Sequence, residues 1–156
     1  MKTSKISRIL TAVDGSHSSM EAARYALAMA KKYDAELFSL TIINTQPWFY
    51  SSTLYGWASP ETMEKVHESD IRHAQTWLDQ VKETAENDGV RSQTKILLVP
   101  YTETSTSGAI INYAEENHID LIVIGTRGHS GLKKMLLGSV ALAVLTYSHS
   151  PVLVIK

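Results

Sequence analysis

Short apolar runs alternate with stretches patterned as helices, and this alternation restricts the fold more than any single residue does. Ile9-Leu10-Thr11-Ala12-Val13 is rich in β-formers and is punctuated by Asp14-Gly15-Ser16, so it reads as a strand entering a turn. Ser18 stands three residues before Glu21, a capping-box spacing, and Met20 to Tyr33 carries Ala23, Leu27 and Ala30 at helical intervals. Leu37 to Ile43 reads as a second strand, followed by an aromatic connection with Trp48, Phe49, Tyr50, Tyr55 and Trp57. Ser59-Pro60 has the form of an N-cap with proline at the first helical position. The helix after it places Met63, Val66, Asp70, Ala74, Trp77, Val81 and Ala85 on one stripe, and Gly89 stops it. Ile96 to Val99 is a third strand. Thr104 to Ser107 offer several caps before a helix over Ala109 to Glu116, and Leu121 to Ile124 is a fourth strand. Ser139 to Tyr147 reads as a helix, and Pro151 introduces a fifth strand, Val152 to Ile155.

The order β-α-β-α-β-α-β-α-β implies an α/β fold with a parallel sheet covered by helices on both faces. Right-handed crossovers make it doubly wound, with ligands expected beyond the carboxyl ends of the strands. Asp14 and Gly125 both follow strands, so both should lie on that edge. With 156 residues the chain is expected to form one domain over residues 1–156. A net charge of −1 gives no pointer to nucleic acid or to an anionic membrane. No apolar run approaches the roughly 18 residues of a membrane span, and the N-terminus suits a strand better than a signal peptide. The expected location is the cytoplasm, and the absence of cysteine excludes a thiolate nucleophile or metal site.

The connection GTRGHSGLKKMLLGS, from Gly125 to Ser139, concentrates the chemistry. Glycines let a ligand approach the backbone, and amide N–H groups in such a loop form a concave anion site. Gly138-Ser139 opens a helix whose unpaired N–H groups and dipole favour an anion such as phosphate. The connection lacks G-x-x-x-x-G-K-[ST], and no G-x-G-x-x-G follows the first strand. A phosphate cradle and a plain glycine-containing loop with a capped helix both fit these residues. Arg127 is the cation best placed for phosphate, ahead of Lys133 and Lys134; His129 is equally well an exposed loop histidine. His67 and His73 are six apart and share no helical face, so they make no metal motif.

The spacing Gly125-x2-Gly128-x9-Gly138-Ser139 resembles the G-2x-G-9x-G-[S/T] pattern of the nucleotide-binding branch of universal stress proteins. The surrounding LIVIGTRGHSGLKKMLLGSVALAVL and the opening ILTAVDGSHSSMEAARYALAMA are similar to that family too. The resemblance implies a five-stranded sheet in the order 3-2-1-4-5, Rossmann-like in the manner of the adenine nucleotide α-hydrolases. It implies ATP or another adenine nucleotide as ligand, with Mg²⁺ or Mn²⁺ carried by the phosphates. Asp14 matches an aspartate that contacts the ribose, and Ile42 a residue whose backbone reads adenine. Gly125 and Gly128 match the loop beside ribose and phosphates. Gly138 and Ser139 match the phosphate-binding helix start, where Val140 adds a further backbone N–H. VPYTETSTSGA and the aromatic connection depart from the family pattern.

No catalytic base beside the cradle can be picked out of the sequence, so the expectation is a nucleotide-responsive stress regulator rather than a dedicated catalyst. Slow ATP hydrolysis, adenylyl transfer and an interaction module without nucleotide are the alternatives. Packing on the long helix and a lid or partner surface are both open to the aromatic connection. The final strand, apolar at four successive positions, should be buried on both faces yet present an unpaired edge. The resemblance implies a homodimer formed through Val152 to Ile155.

Overall fold

The computed structural model describes residues 5–45, 60–100, 103–126 and 137–156. Its elements are β1 (Arg8–Ala12), α1 (His17–Tyr33), β2 (Glu36–Thr45), α2 (Pro60–Asn87), β3 (Ser92–Pro100), α3 (Thr106–Glu116), β4 (Leu121–Gly125), α4 (Ser139–Tyr147) and β5 (Val152–Ile155). The strands form one sheet in the order β3-β2-β1-β4-β5, and every pairing is parallel. The expected topology is the one observed.

Strand alternation sends side chains to two cores. Ile9, Val13, Leu37, Leu121 and Val123 meet α1 and α2; Leu10, Phe38, Leu40, Ile122 and Ile124 meet α3 and α4. That is why these strands read as continuous apolar runs rather than as alternating ones. Helix α1 turns a face made mostly of alanine (Ala22, Ala23, Ala26, Ala30) to the sheet.

Three helices end in one way. Asp34, Gly89 and His118 adopt positive φ of 53°, 69° and 51°. The next residue in each case, Ala35, Val90 or Ile119, is buried, and its N–H donates to the carbonyl of Ala30, Ala85 or Ala114. This is the six-to-one hydrogen bond of a Schellman ending, with its hydrophobic contact.

Several expectations need correction. Helix α1 starts at His17, because Ser16 is its cap: the Ser16 hydroxyl accepts from the Ser19 N–H at 3.2 Å. The Ser18–Glu21 capping box therefore does not form; Ser18 lies inside the first turn, and Glu21 pairs with Arg24. Ala74, Val81 and Ala85 of the α2 stripe are buried, with Leu78 beside them, but Val66 is half exposed. A helix of 28 residues runs about 42 Å, against about 30 Å for the nine-residue strand that follows it, so its first turns pass the sheet's edge. Strand β5 is half-buried at all four positions rather than buried on both faces. Pro60 opens α2 as expected, and Ser105 is the hydroxyl that caps α3.

Asp120 clips the far edge of the sheet. Its Oδ2 accepts from the Ser7 N–H (2.8 Å), the Ser7 hydroxyl (2.8 Å) and the Arg8 N–H (2.9 Å), tying the entry of β1 to that of β4. Burial pushes its carboxyl upward, but these bonds outweigh burial and hold it below the ordinary value. A depressed carboxyl stabilises the fold above the unfolded-state range and loses that contribution as pH falls through the folded value. Asp120→Asn is thus expected to lower the urea midpoint at neutral pH. The deficit should shrink steadily below about pH 4, the ordinary carboxylate range; one that stayed constant with pH would exclude a role for the charge.

Candidate functional site

A cavity of about 130 Å³ opens at the carboxyl edge of the sheet, where β1 lies between β2 and β4. Ile42, Ile110 and Ile124 give it an apolar wall, and Ala12 and Val13 form its floor at the end of β1. Among the described lining residues Asp14 is the one ionisable group.

Unequal strand lengths leave backbone groups at this edge. Strand β1 pairs with β2 only as far as Ala12 opposite Leu40, with one further bond from the Val13 N–H to the Leu40 carbonyl (2.8 Å), whereas β2 continues to Thr45. Glu36 and Leu40 direct their backbone groups toward β1, and Leu37 directs its N–H toward β3. By the same alternation the N–H and C=O of Ile42 point to the β1 side, beyond the point where β1 ends. One donor and one acceptor thus stand at the cavity with no strand paired to them among the described residues.

Helix α4 begins at the opposite wall. Helices α1 and α3 are capped by their own serines, Ser16 and Ser105, through bonds to the N–H groups of Ser19 and Gly108. The N-cap of α4 is Gly138, which makes no side-chain cap bond. The Gly138 N–H donates to the Thr126 carbonyl at 2.7 Å, which draws the helix start onto the end of β4. The helix's own ladder starts at the Leu142 N–H, so the N–H groups of Ser139, Val140 and Ala141 precede it, and all three residues line the cavity. An uncapped helix start of this kind attracts an anion.

Asp14 lies on the β1 side. Its Oδ1 accepts from the Ser16 N–H (3.0 Å) and the Ser16 hydroxyl (2.6 Å), and its N–H donates to the Ser19 hydroxyl (3.2 Å). Asp14 is therefore both a turn-forming aspartate and a lining residue, so the two roles do not compete.

The glycines act differently from the sequence expectation. Neither Gly125 nor Gly138 uses positive φ; Gly138 sits at φ −70°, ψ 157°, open to any residue. A Cβ at Gly125 would lie 2.5 Å from the Ser18 hydroxyl and 2.6 Å from the Ser18 carbonyl, so glycine there lets α1 press against β4. Conformational freedom is used at Gly15, with φ 77°.

The cavity brings together Asp14, Ile42, Gly125, Gly138, Ser139 and Val140 of the expected site residues. Arg127 and Gly128, with His129, Lys133 and Lys134, lie outside the described residues, as does the aromatic connection from Trp48 to Trp57. Thr106 and Ile110 on α3 also line the cavity. Thr106 showed in the sequence only as one of several caps, and Ile110 only as an unremarked residue of the helix over Ala109 to Glu116. Thr106 accepts from the Asn44 side-chain amide at 2.9 Å, which joins the end of β2 to the start of α3.

The model of the universal stress protein family matches residues 5–156. The chain belongs to that family. A universal stress protein of Methanocaldococcus jannaschii is 36% identical over 149 residues, 96% of this chain and 81% of its own length. One from Bacillus subtilis is 32% identical over 151 residues, covering 96% and 98%. Among solved structures, a universal stress protein from Lactobacillus plantarum superposes with a TM-score of 0.80 at 21% identity over 97% of this chain and 99% of its own. One from Archaeoglobus fulgidus in complex with dAMP gives 0.67 at 21% identity, covering 97% and 99%. A family member from Arabidopsis thaliana with AMP bound gives 0.66 at 18% identity, covering 96% and 91%. At these identities the structures attest to the shared fold.

The steric reading of Gly125 gives an expected outcome. Gly125→Ala should destabilise the fold by about 1–3 kcal/mol, the usual cost of overpacking, whether or not ligand is present. Urea unfolding of the ligand-free protein measures it; unchanged stability would show that α1 gives way at no cost.

Proposed function

We propose that this universal stress protein binds an adenine nucleotide, ATP foremost, and acts as a nucleotide-responsive regulator in the cytoplasm. The observation that carries the reading is the start of α4, a helix capped by glycine whose first N–H groups line the cavity. Phosphate there would be held by the N–H groups of Ser139 and Val140 and by the Ser139 hydroxyl, with Gly128 and Arg127 completing the loop. Adenine presents a donor and an acceptor side by side, the complement of the C=O and N–H of Ile42, and its faces suit the isoleucine wall. Asp14 would accept from the ribose hydroxyls, as acidic residues do in dinucleotide folds. The relatives bound to dAMP and AMP support an adenine ligand.

Magnesium or manganese would arrive with the phosphates. The described lining offers the Ser139 hydroxyl oxygen at that end, and Asp14, its one carboxylate, lies on the β1 side; a hard cation there would keep phosphate and water as its main ligands. The same lining argues for binding over turnover, since Asp14 is also engaged in the Ser16 turn. Residues 1–156 would act as one domain, paired as a homodimer through β5. Strand β5 bonds to β4 through the carbonyls of Pro151 and Ile155, so Val152 and Val154 direct their backbone groups outward; Leu142 and Leu145 on α4 are about half exposed.

Calorimetric titration of the nucleotide-stripped protein with ATP and Mg²⁺, AMP and cyclic AMP tests the ligand; binding of none by a folded protein would refute the reading. Ser139→Pro tests the site. Proline suits the first helical position and the extended backbone of Gly138 before it, so the fold should keep its melting temperature. The lost N–H and hydroxyl should weaken ATP about tenfold or more, since hydrogen bonds to charged groups are worth about 1.5–3 kcal/mol. Val154→Pro, which removes an outward N–H and spares the β4 ladder, should convert the dimer to monomer in analytical ultracentrifugation.

A further inference from the structure

We infer that Thr106, at the start of α3, is a specificity-determining residue that donates a hydrogen bond to the purine ring, with Asn44 as its positioning residue; the inference rests on the nucleotide reading above. Thr106 lines the cavity where α3 meets the end of β2. Its hydroxyl accepts from the Asn44 side-chain amide at 2.9 Å. A threonine hydroxyl has one proton to donate and two lone pairs. The Asn44 amide takes one lone pair and turns the Thr106 proton away from itself. Among the described residues no group accepts that proton. Both partners are held in place by the fold. Asn44 sits in the β2–β3 ladder opposite the buried Val99. In the first turn of α3 the Ser105 hydroxyl accepts from the Gly108 N–H at 3.1 Å, the Ser105 carbonyl accepts from the Ala109 N–H at 2.9 Å, and Ile110 is buried in the core.

Chain direction decides which part of the base the hydroxyl meets. Along β2 the N–H of Ile42 precedes its C=O, so the C=O stands on the Asn44 side. A base read by Ile42 sets a ring nitrogen on the N–H and its amino group on the C=O. In adenine two ring nitrogens, N1 and N7, flank the amino group. Whichever of them takes the Ile42 N–H, the other lies past the amino group toward Asn44, where the Thr106 hydroxyl donates to it. The base edge, acceptor-donor-acceptor, is then met by donor, acceptor and donor from Ile42 and Thr106. Guanine has an oxygen in place of the amino group and would set it against the Ile42 carbonyl.

Calorimetry on the full chain, with the melting temperature of each variant, compares ATP with 7-deaza-ATP and 1-deaza-ATP, each of which lacks one of the two ring nitrogens. The wild type should bind both analogues about fivefold more weakly than ATP, the scale of one neutral hydrogen bond. Thr106→Val should bring one of the two ratios to near unity and leave the other unchanged, while Thr106→Ser should keep both. Asn44→Asp separates the base contact from the join between β2 and α3. A carboxylate only accepts, so the Thr106 proton turns toward position 44 and the join is kept, yet the same ratio should collapse. The added charge acts on ATP and its analogues alike and cancels in the ratio. Asn44→Asp is also the decisive variant if Thr106→Val does not fold. A bond that serves only to join β2 to α3 would leave both ratios at wild-type values in the folded variants. That result, or wild-type ratios already at unity, overturns the role of Thr106 and leaves the nucleotide reading standing. A folded wild type that binds no nucleotide overturns the nucleotide reading, and this inference with it.

Discussion

The site depends on strand β1 being short. Arg8 to Ala12 occupies the middle of the sheet, and both neighbours make their ladders against it. When β1 stops at Ala12 while β2 runs on to Thr45, the sheet is left with a notch at its carboxyl edge. The notch exposes the Ile42 backbone, places Asp14 on one flank and receives the start of α4 on the other. A β1 two residues longer would pair with Ile42 and fill the space. The cavity is thus a gap in a hydrogen-bond ladder rather than a set of side chains added to a finished fold.

The notch also explains the division of labour among the helix starts. Helices α1 and α3 satisfy their first turns internally through Ser16 and Ser105. Helix α4, whose first turn lines the cavity at Ser139 to Ala141, carries glycine at the same position. Backbone thus supplies polar groups on both sides of the cavity, at Ile42 and at Ser139 to Ala141, while isoleucines supply the faces between. This suits a ligand with one flat, edge-polar end and one anionic end.

Much of the fold was legible because buried parallel strands and helices carry different periods. The bounds of β5 and α4 match the sequence reading residue for residue. The helix ends at Tyr33, Glu116 and Tyr147 were legible too, but the Schellman geometry was legible only where glycine marks it. Gly89 was readable, while the same Schellman ending at Asp34 and His118 was not, because those residues rarely take positive φ. The start of α1 was misplaced because three serines compete for the cap, and only the Asp14 bond to Ser16 decides among them. At the site, the motif glycines and Asp14 stood out in the linear chain. Ile110 and Thr106 did not, since a lining position on α3 looks like any other helix residue. The reason for Gly125 was equally hidden: its neighbour Ser18 is more than a hundred residues away along the chain.

That separation has a consequence for assembly. Strand β1 and helix α1 are synthesised early, yet their partners at the notch, β4 and the start of α4, come near the end of the sequence. The pairing of Leu10 with Ile122 closes a very long loop, the kind of contact that forms late because its entropy cost must be met first. No partly folded chain holding only the β1-β2-β3 half possesses the cavity. A ligand that occupies it therefore selects for chains whose last strands have docked, and draws the population toward the completed sheet by mass action.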